Sequence, residues 1–262
     1  MGRAIVITSG KGGVGKSTTT ANIGSALALS GNRVALIDGD VGLRNLDLIM
    51  GLEGRIVYTL LDVVKGQCDV EQALVKDRRT KNLKMLAAPE DPNEGQVTPA
   101  QMKDICHMLK LTYDYVLIDS PAGIEQGFRN AIAGANEAIV IATPDVASVR
   151  DADRVIELLR KETFEPRLIV NRLFQQMSET GEMLDHRDLV DILGIKLLGV
   201  VPEDARKTVV SSNRGEPITY QPHTLIGAAY RRIAQRIEGK DVPIPEFKDA
   251  NWFAGLLSKL FS

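Results

Sequence analysis

At 262 residues the chain is long enough for one α/β domain with a sizeable core, and no Pro- or Ser-rich linker divides it. A hydrophobic content of 44%, a charged content of 25% and a net charge of -2 describe an ordinary soluble protein without the basic excess of a dedicated nucleic-acid binder. No signal peptide precedes the first apolar run, and no run reaches the roughly 20 residues that span a bilayer, so the expectation is a cytoplasmic protein that touches membrane only at its surface.

Residues 4–7 read as a strand, and they feed Gly10-Lys11-Gly12-Gly13-Val14-Gly15-Lys16-Ser17-Thr18, the one segment whose spacing dictates a ligand. Gly, four residues, then Gly-Lys-Ser is the phosphate-loop pattern. Ile23, Ala26 and Leu27 follow at helical spacing, so the loop opens a helix. Closely spaced glycines let successive backbone N–H groups surround a polyphosphate, and the positive end of the helix dipole adds to the attraction. Lys16 should reach the outer phosphates, and the Ser17 hydroxyl should ligate Mg²⁺. A second lysine, Lys11, is poorly placed to repeat the job of Lys16. Residues 11–17, Lys-Gly-Gly-Val-Gly-Lys-Ser, resemble the deviant Walker A loop of the MinD/ParA family. The resemblance implies ATP held by Gly12, Gly13, Val14, Gly15, Lys16, Ser17 and Thr18, and a Lys11 that reaches across a homodimer interface to the partner's nucleotide.

Gly31 supplies a stop, and residues 33–38 read as a buried strand closed by Asp38-Gly39-Asp40. Carboxylates at the carboxyl end of a parallel strand suit a Mg²⁺-nucleotide and an attacking water, whereas a solvated Asp-Gly turn is the plainer alternative. Residues 41–47 resemble the switch I segment of the family's MinD branch, which implies that Asp38 lies near the metal and that Asp40 orients the hydrolytic water. Residues 48–82 give helical patterns, such as Val57, Leu60, Leu61 and Val64, interrupted by Gly66 and polar residues and with no catalytic signature. A short strand over 83–87, a loop over 89–95 and a helix over 99–109 follow. Cys68 and Cys106, the two cysteines, have no CxxC or His partner and read as buried thiols of a reducing compartment. His107, His186 and His223 are scattered too, which argues against a protein-built transition-metal site. Residues 115–119 form an apolar run ending in Asp119, as the Mg²⁺-side strand of a phosphate-loop ATPase requires. Residues 120–125 resemble the MinD-branch switch II, without the cluster-binding cysteine of the related nitrogenase iron protein.

A further buried strand spans 137–144, and residues 148–154 open a helix that Ser148 could cap, with acids in its first turns. The resemblance makes Asp151 and Asp153 on that helix contacts for the division inhibitor MinC. The strand over 167–172 ends in Asn171-Arg172, where an amide can offer donor and acceptor to a purine edge. By family likeness Asn171 contacts adenine, Arg172 stands beside it, and Pro202 ends a last strand whose loop flanks the base. The helix through Tyr230, Ile233 and Ile237 completes the domain.

Prolines disrupt residues 241–247, which read as a tether. Beyond them Trp252, Phe253, Leu256, Leu257, Leu260 and Phe261 occupy one half of a helical cylinder at about 100° per residue, with Asn251, Ser258, Lys259 and Ser262 on the other. A helix this short needs a surface, and a membrane interface supplies one. Lys248 and Lys259 are the tail's only cations and Asp249 opposes them, so apolar insertion outweighs attraction to anionic lipid.

The expected architecture is an α/β three-layer sandwich with a mostly parallel central sheet over 1–240, a tether over 241–250 and an amphipathic helix over 251–262. The resemblance implies a Mg²⁺-dependent ATPase on the cytoplasmic face of the inner membrane that dimerises with ATP, recruits MinC and is stimulated by the topological factor MinE. Alternatives within the superfamily are a flagellar-number regulator and a chromosome or plasmid partitioning ATPase. A nucleotide-sensing scaffold without hydrolysis is the non-enzymatic alternative.

Overall fold

The computed structural model describes residues 1–245, apart from Leu43 and Pro222; the amphipathic segment with Trp252, Phe253, Leu256, Leu257, Leu260 and Phe261 lies outside the described residues. The strands are β1 (Arg3–Thr8), β2 (Val34–Asp38), β3 (Val75–Lys76), β4 (Leu83–Leu86), β5 (Tyr115–Asp119), β6 (Glu137–Ala142), β7 (Arg167–Leu173) and β8 (Lys196–Pro202). They form one sheet in the order β3-β4-β2-β5-β1-β6-β7-β8, parallel throughout except where β3 runs against β4. The helices are α1 (Lys16–Leu29), α2 (Leu46–Met50), α3 (Leu60–Val64), α4 (Val70–Ala73), α5 (Pro99–Thr112), α6 (Gln126–Ala133), α7 (Val146–Lys161), α8 (Gln175–Glu179), α9 (His186–Leu193), α10 (Ala205–Asn213) and α11 (Leu225–Ile237).

Strands covered on both faces must be apolar on both, which is why β1, β2 and β5 read as continuous hydrophobic runs rather than alternating ones. Ile5 and Ile7 of β1 face a core shared with α1 and α11, while Ala4 and Val6 face the core beneath α5, α6, α7 and α9. Helix α1 is buried on nearly every side, and a Cβ added to Gly24 would stand 2.5 Å from a Leu36 methyl, so a glycine lets α1 settle on β2.

The stretch 48–82 is helical at Leu60–Val64, as its spacing indicates, but only in short pieces. It breaks into the short helices α2, α3 and α4 and ends in β3, an edge strand of two residues; Gly51 and Gly66, both at positive φ, mark two of the breaks. Helix α7 begins earlier than expected. Asp145 caps it by accepting the Ser148 N–H, Ser148 sits inside the helix with its Oγ accepting the Thr143 N–H, and no acid occupies the first turn. Cys106 is buried, and burial pushes its thiol up to about 12; Cys68 is only half-buried, which corrects the expectation of two buried thiols.

At the far edge, α11 stops at Gly239, which takes a positive φ while the Gly239 and Lys240 N–H groups close on Arg236 and Gln235 carbonyls. Residues 241–245 carry no regular secondary structure, yet Ile244 packs against the core on the α7 and α9 face. The chain therefore crosses the β8 edge from one side of the sheet to the other, and the expected tether starts inside a segment fixed to the domain.

Candidate nucleotide site

Every candidate residue of the loop and strands arrives at the carboxyl ends of the parallel strands. The loop between β1 and α1 puts Gly13 at φ 76 and Gly15 at φ 94, a conformation that side chains resist. Gly15 stands at the N-cap of α1 without any side-chain cap, so the free N–H groups of the first turn remain available to a ligand. A Cβ on Gly13 would meet nothing within 4 Å. That open concavity belongs to a cavity of about 770 Å³ lined by Gly12, Gly13, Gly15, Lys16, Ser17, Thr18, Asp40 and Arg172. The dimensions and the ring of inward backbone donors fit a nucleoside triphosphate.

Behind the loop sit two carboxylates. Asp38 and Asp119 are register partners on β2 and β5, and both are almost wholly buried. Asp38 accepts the N–H groups of Asp40 at 3.0 Å and Leu46 at 3.3 Å, while Asp119 accepts the Thr20 hydroxyl at 3.3 Å. Burial pushes both acids up; for Asp38 the charge of Asp119 adds to it, whereas the Ser17 hydroxyl and Lys16 partly offset it at Asp119. Two desolvated acids side by side fit a divalent cation with the Ser17 hydroxyl as its protein ligand. Among the described residues no group of three or more His, Cys, Asp and Glu could hold a metal ion.

Lys16 is buried to 8% exposure, and desolvation lowers its pKa against the opposing pull of Asp119 and Asp40. Desolvation raises Asp40, which Lys16 partly offsets. Lys11 projects elsewhere: its ammonium lies half-exposed 3.8 Å from Asp145, and its backbone carbonyl accepts the Ser9 hydroxyl. The segment after β5 is tied to the loop because the Gly123 N–H donates to the Ser9 carbonyl. On the other side of the loop, a Cβ on Gly10 would fall 2.1 Å from the Asp151 carbonyl oxygen, so the loop and α7 touch backbone to backbone. Asp151 and Asp153 lie on α7, outside the lining of the cavity.

A second, smaller cavity of about 30 Å³ adjoins Thr18 and is lined by Asn171, Arg172 and Pro202, together with Glu203, Thr208, Ile226 and Tyr230. Asn171 is buried and donates its Nδ2 to the Val14 carbonyl at 2.7 Å. Arg172 adopts φ 59 and stands 3.8 Å from Glu203, which the sequence reading missed because no motif marks it. Also missed was Arg44, nearly buried, which pairs with Asp47 at 2.7 Å and with Glu90 and so ties residues 41–47 to the loop after β4.

The profile of the CobQ/CobB/MinD/ParA nucleotide binding domain matches residues 5–218, which span β1 to the turn before α11. The chain belongs to this family, and within it to the MinD branch. It is 50% identical to the septum site-determining protein MinD of Bacillus subtilis over 265 aligned residues, covering 100% of this chain and 98% of that protein. It is 49% identical to the MinD of Synechocystis, with 96% of this chain and 95% of that protein covered. Its fold superposes on MinD in the MinC:MinD cell division complex of Aquifex aeolicus with a TM-score of 0.88 at 45% identity, covering 94% of this chain and 100% of that one. The MinD of Pyrococcus horikoshii, solved with Mg-ADP, gives a TM-score of 0.82 at 30% identity, with coverages of 91% and 96%. This family member thus carries a nucleotide-binding α/β domain.

Proposed function

We propose that the chain is a MinD-type ATPase that dimerises around ATP, attaches to the inner membrane through its C-terminal segment and recruits a division inhibitor to position the septum. The observation that carries the reading is the cavity lined by the Lys16 loop, Ser17 and Asp40, with the buried Asp38–Asp119 pair directly behind Ser17 and Lys16, which suits a triphosphate in the cavity and a cation at its inner wall. Ser17 would hold Mg²⁺ with Asp38 and Asp119 behind it, and the metal would neutralise phosphate charge. Lys16 offsets the remaining negative charge, and Asp40, half-buried at the cavity wall, positions a water for in-line attack on the γ-phosphate.

Dimerisation is supported by the exposed rim. Helices α2 and α10 pack together and leave Leu48, Val209 and Val210 in solvent beside the cavity. Half-exposed Lys11, 3.8 Å from Asp145, could turn from that acid to a partner's phosphates. One membrane helix binds weakly; two joined in a dimer bind far more tightly, because the second insertion becomes intramolecular. A partner such as MinC would meet α7, where Asp151 and Asp153 sit, and a topological factor such as MinE would accelerate release.

ATP turnover and vesicle sedimentation test this reading together. The intact chain with ATP should sediment with vesicles, whereas the ADP form and a chain ending before Trp252 should stay in solution. K11A should bind ATP yet neither dimerise nor hydrolyse it under stimulation. Equal capture of ADP-loaded and ATP-loaded protein, or a fully active K11A variant, would sink the proposal.

A further inference from the structure

The β8 edge is built around Arg236. Gly199 admits α11 closely, since a Cβ there would stand 2.4 Å from Ile233. A register shift frees Leu198 from its place opposite β7, and its carbonyl accepts Arg236 Nη1 at 3.0 Å. The rest of the same guanidinium binds the Val242 carbonyl at 2.7 Å and the Pro243 carbonyl at 2.7 Å. Three carbonyls thus fix the last described stretch across the edge, with Ile244 seated on the opposite face. The point from which the C-terminal segment departs is therefore set by the fold.

That point is cationic. Arg232 lies one turn before Arg236 on the same face of α11, and like charges at this spacing repel. Desolvation and then the charge of Arg232 lower Arg236. Lys196 is exposed at the foot of β8, two residues before the clamped carbonyl, and Lys240 is exposed at the turn after α11. Among the described residues neither Arg232 nor Lys196 forms an ion pair. Of the acids around this edge, Glu238 is engaged by Lys240 and Asn32 and Glu137 by Arg3 and Arg167, while Glu165, which lines a surface cavity with Lys196, and Asp241 oppose the cations.

We propose that the β8 edge, through Arg232 and Lys196, is the side of the folded domain that lies against an anionic lipid surface, and that Arg236 holds the chain to this edge at Val242 and Pro243. The domain then supplies the positive charge that the tail lacks, where Lys248 and Lys259 are the only cations and Asp249 opposes them. This rests on the membrane attachment proposed above. The neighbouring cations could also meet nucleic acid, but the clamp holds the chain beside them at Val242 and Pro243, and in sequence the apolar run from Trp252 follows, which favours lipid.

The test uses full-length protein with ATP, phosphatidylcholine vesicles with and without phosphatidylglycerol, and duplex DNA. R232Q and K196Q should each weaken binding to phosphatidylglycerol vesicles about fivefold. Both should leave binding to pure phosphatidylcholine and lipid-free ATP turnover unchanged, and R232K should bind like the parent. Parent-like binding of both variants to phosphatidylglycerol vesicles would overturn the assignment, and so would equal losses on both vesicle types. Loss of ATP-dependent DNA binding with vesicle binding intact would assign the edge to nucleic acid and overturn it as well. A parent protein that no vesicle captures with ATP defeats the attachment reading itself, and this inference with it.

Discussion

Asn171 spends one of its two amide N–H donors inside the protein. With one Nδ2 hydrogen held by the Val14 carbonyl, the second and Oδ1 remain, and the side chain lines the small cavity. N171L should lose about 1–3 kcal/mol of ATP affinity in calorimetric titrations. Gly15 is constrained from the other side. G15A would force an L side chain to φ 94 and bring its Cβ 2.5 Å from Asn171 Nδ2, so nucleotide binding should vanish while circular dichroism keeps the native helical signal. Lys16, Ser17, Asp38 and Asp119 were legible in the sequence because each is announced by its immediate neighbours, a glycine spacing or an apolar run. The Asn171 to Val14 bond was not, since it joins positions 157 apart and no local pattern encodes it. Glu203 and the Arg44–Glu90 pair were hidden for the same reason.

Helix α7 shows what periodicity reveals and what it hides. Its apolar face, Val149, Ala152, Val155, Ile156 and Leu159, follows from spacing alone, but its start depends on which of two capable residues, Asp145 or Ser148, caps the helix. Asp145 wins, so D145A should cost about 0.5–2 kcal/mol in urea denaturation. The substitution also removes the partner of Lys11. The backbone contact between Gly10 and Asp151 makes the loop and α7 one unit. G10A should destabilise the fold by about 1–3 kcal/mol, through overpacking, and weaken nucleotide binding at the same time. Over 48–82 the spacing showed helix and the break at Gly66 but not how short the pieces are: helices of four or five residues borrow their stability from tertiary contacts, and an edge strand of two residues is too short to show alternation.

Across the whole molecule, the end of the sheet opposite the nucleotide cavity is held by charge. Glu137 on β6 accepts Arg3 of β1 at 2.6 and 2.7 Å and Arg167 of β7 at 3.0 Å, and Arg3 also reaches the Ile237 carbonyl of α11. Burial alone would raise the Glu137 carboxyl, but the Arg3 hydrogen bonds and the two guanidinium charges hold it below its ordinary 4.5. A carboxyl lowered in the folded state adds stability above its unfolded value and loses it as the pH falls through the folded one. The melting temperature of the parent should therefore exceed that of E137Q near neutrality, with the gap closing in acid below 4.5; a gap constant with pH would refute the assignment. The three layers and the mostly parallel sheet were legible as a class, because buried parallel strands are written as unbroken apolar runs, but the order of the strands depends on packing that no single segment carries. The two flanks of that sheet have a further consequence. One ends in a reversed strand of two residues, and the other is closed by a guanidinium on a bulged carbonyl and by a crossing segment whose Pro243 and Pro245 have no amide hydrogen to offer. Neither rim invites ladder growth by a neighbouring molecule, so crowding many copies together need not seed fibrillar aggregates, and a chain cut after Lys240 should turn a clear concentrated solution cloudy.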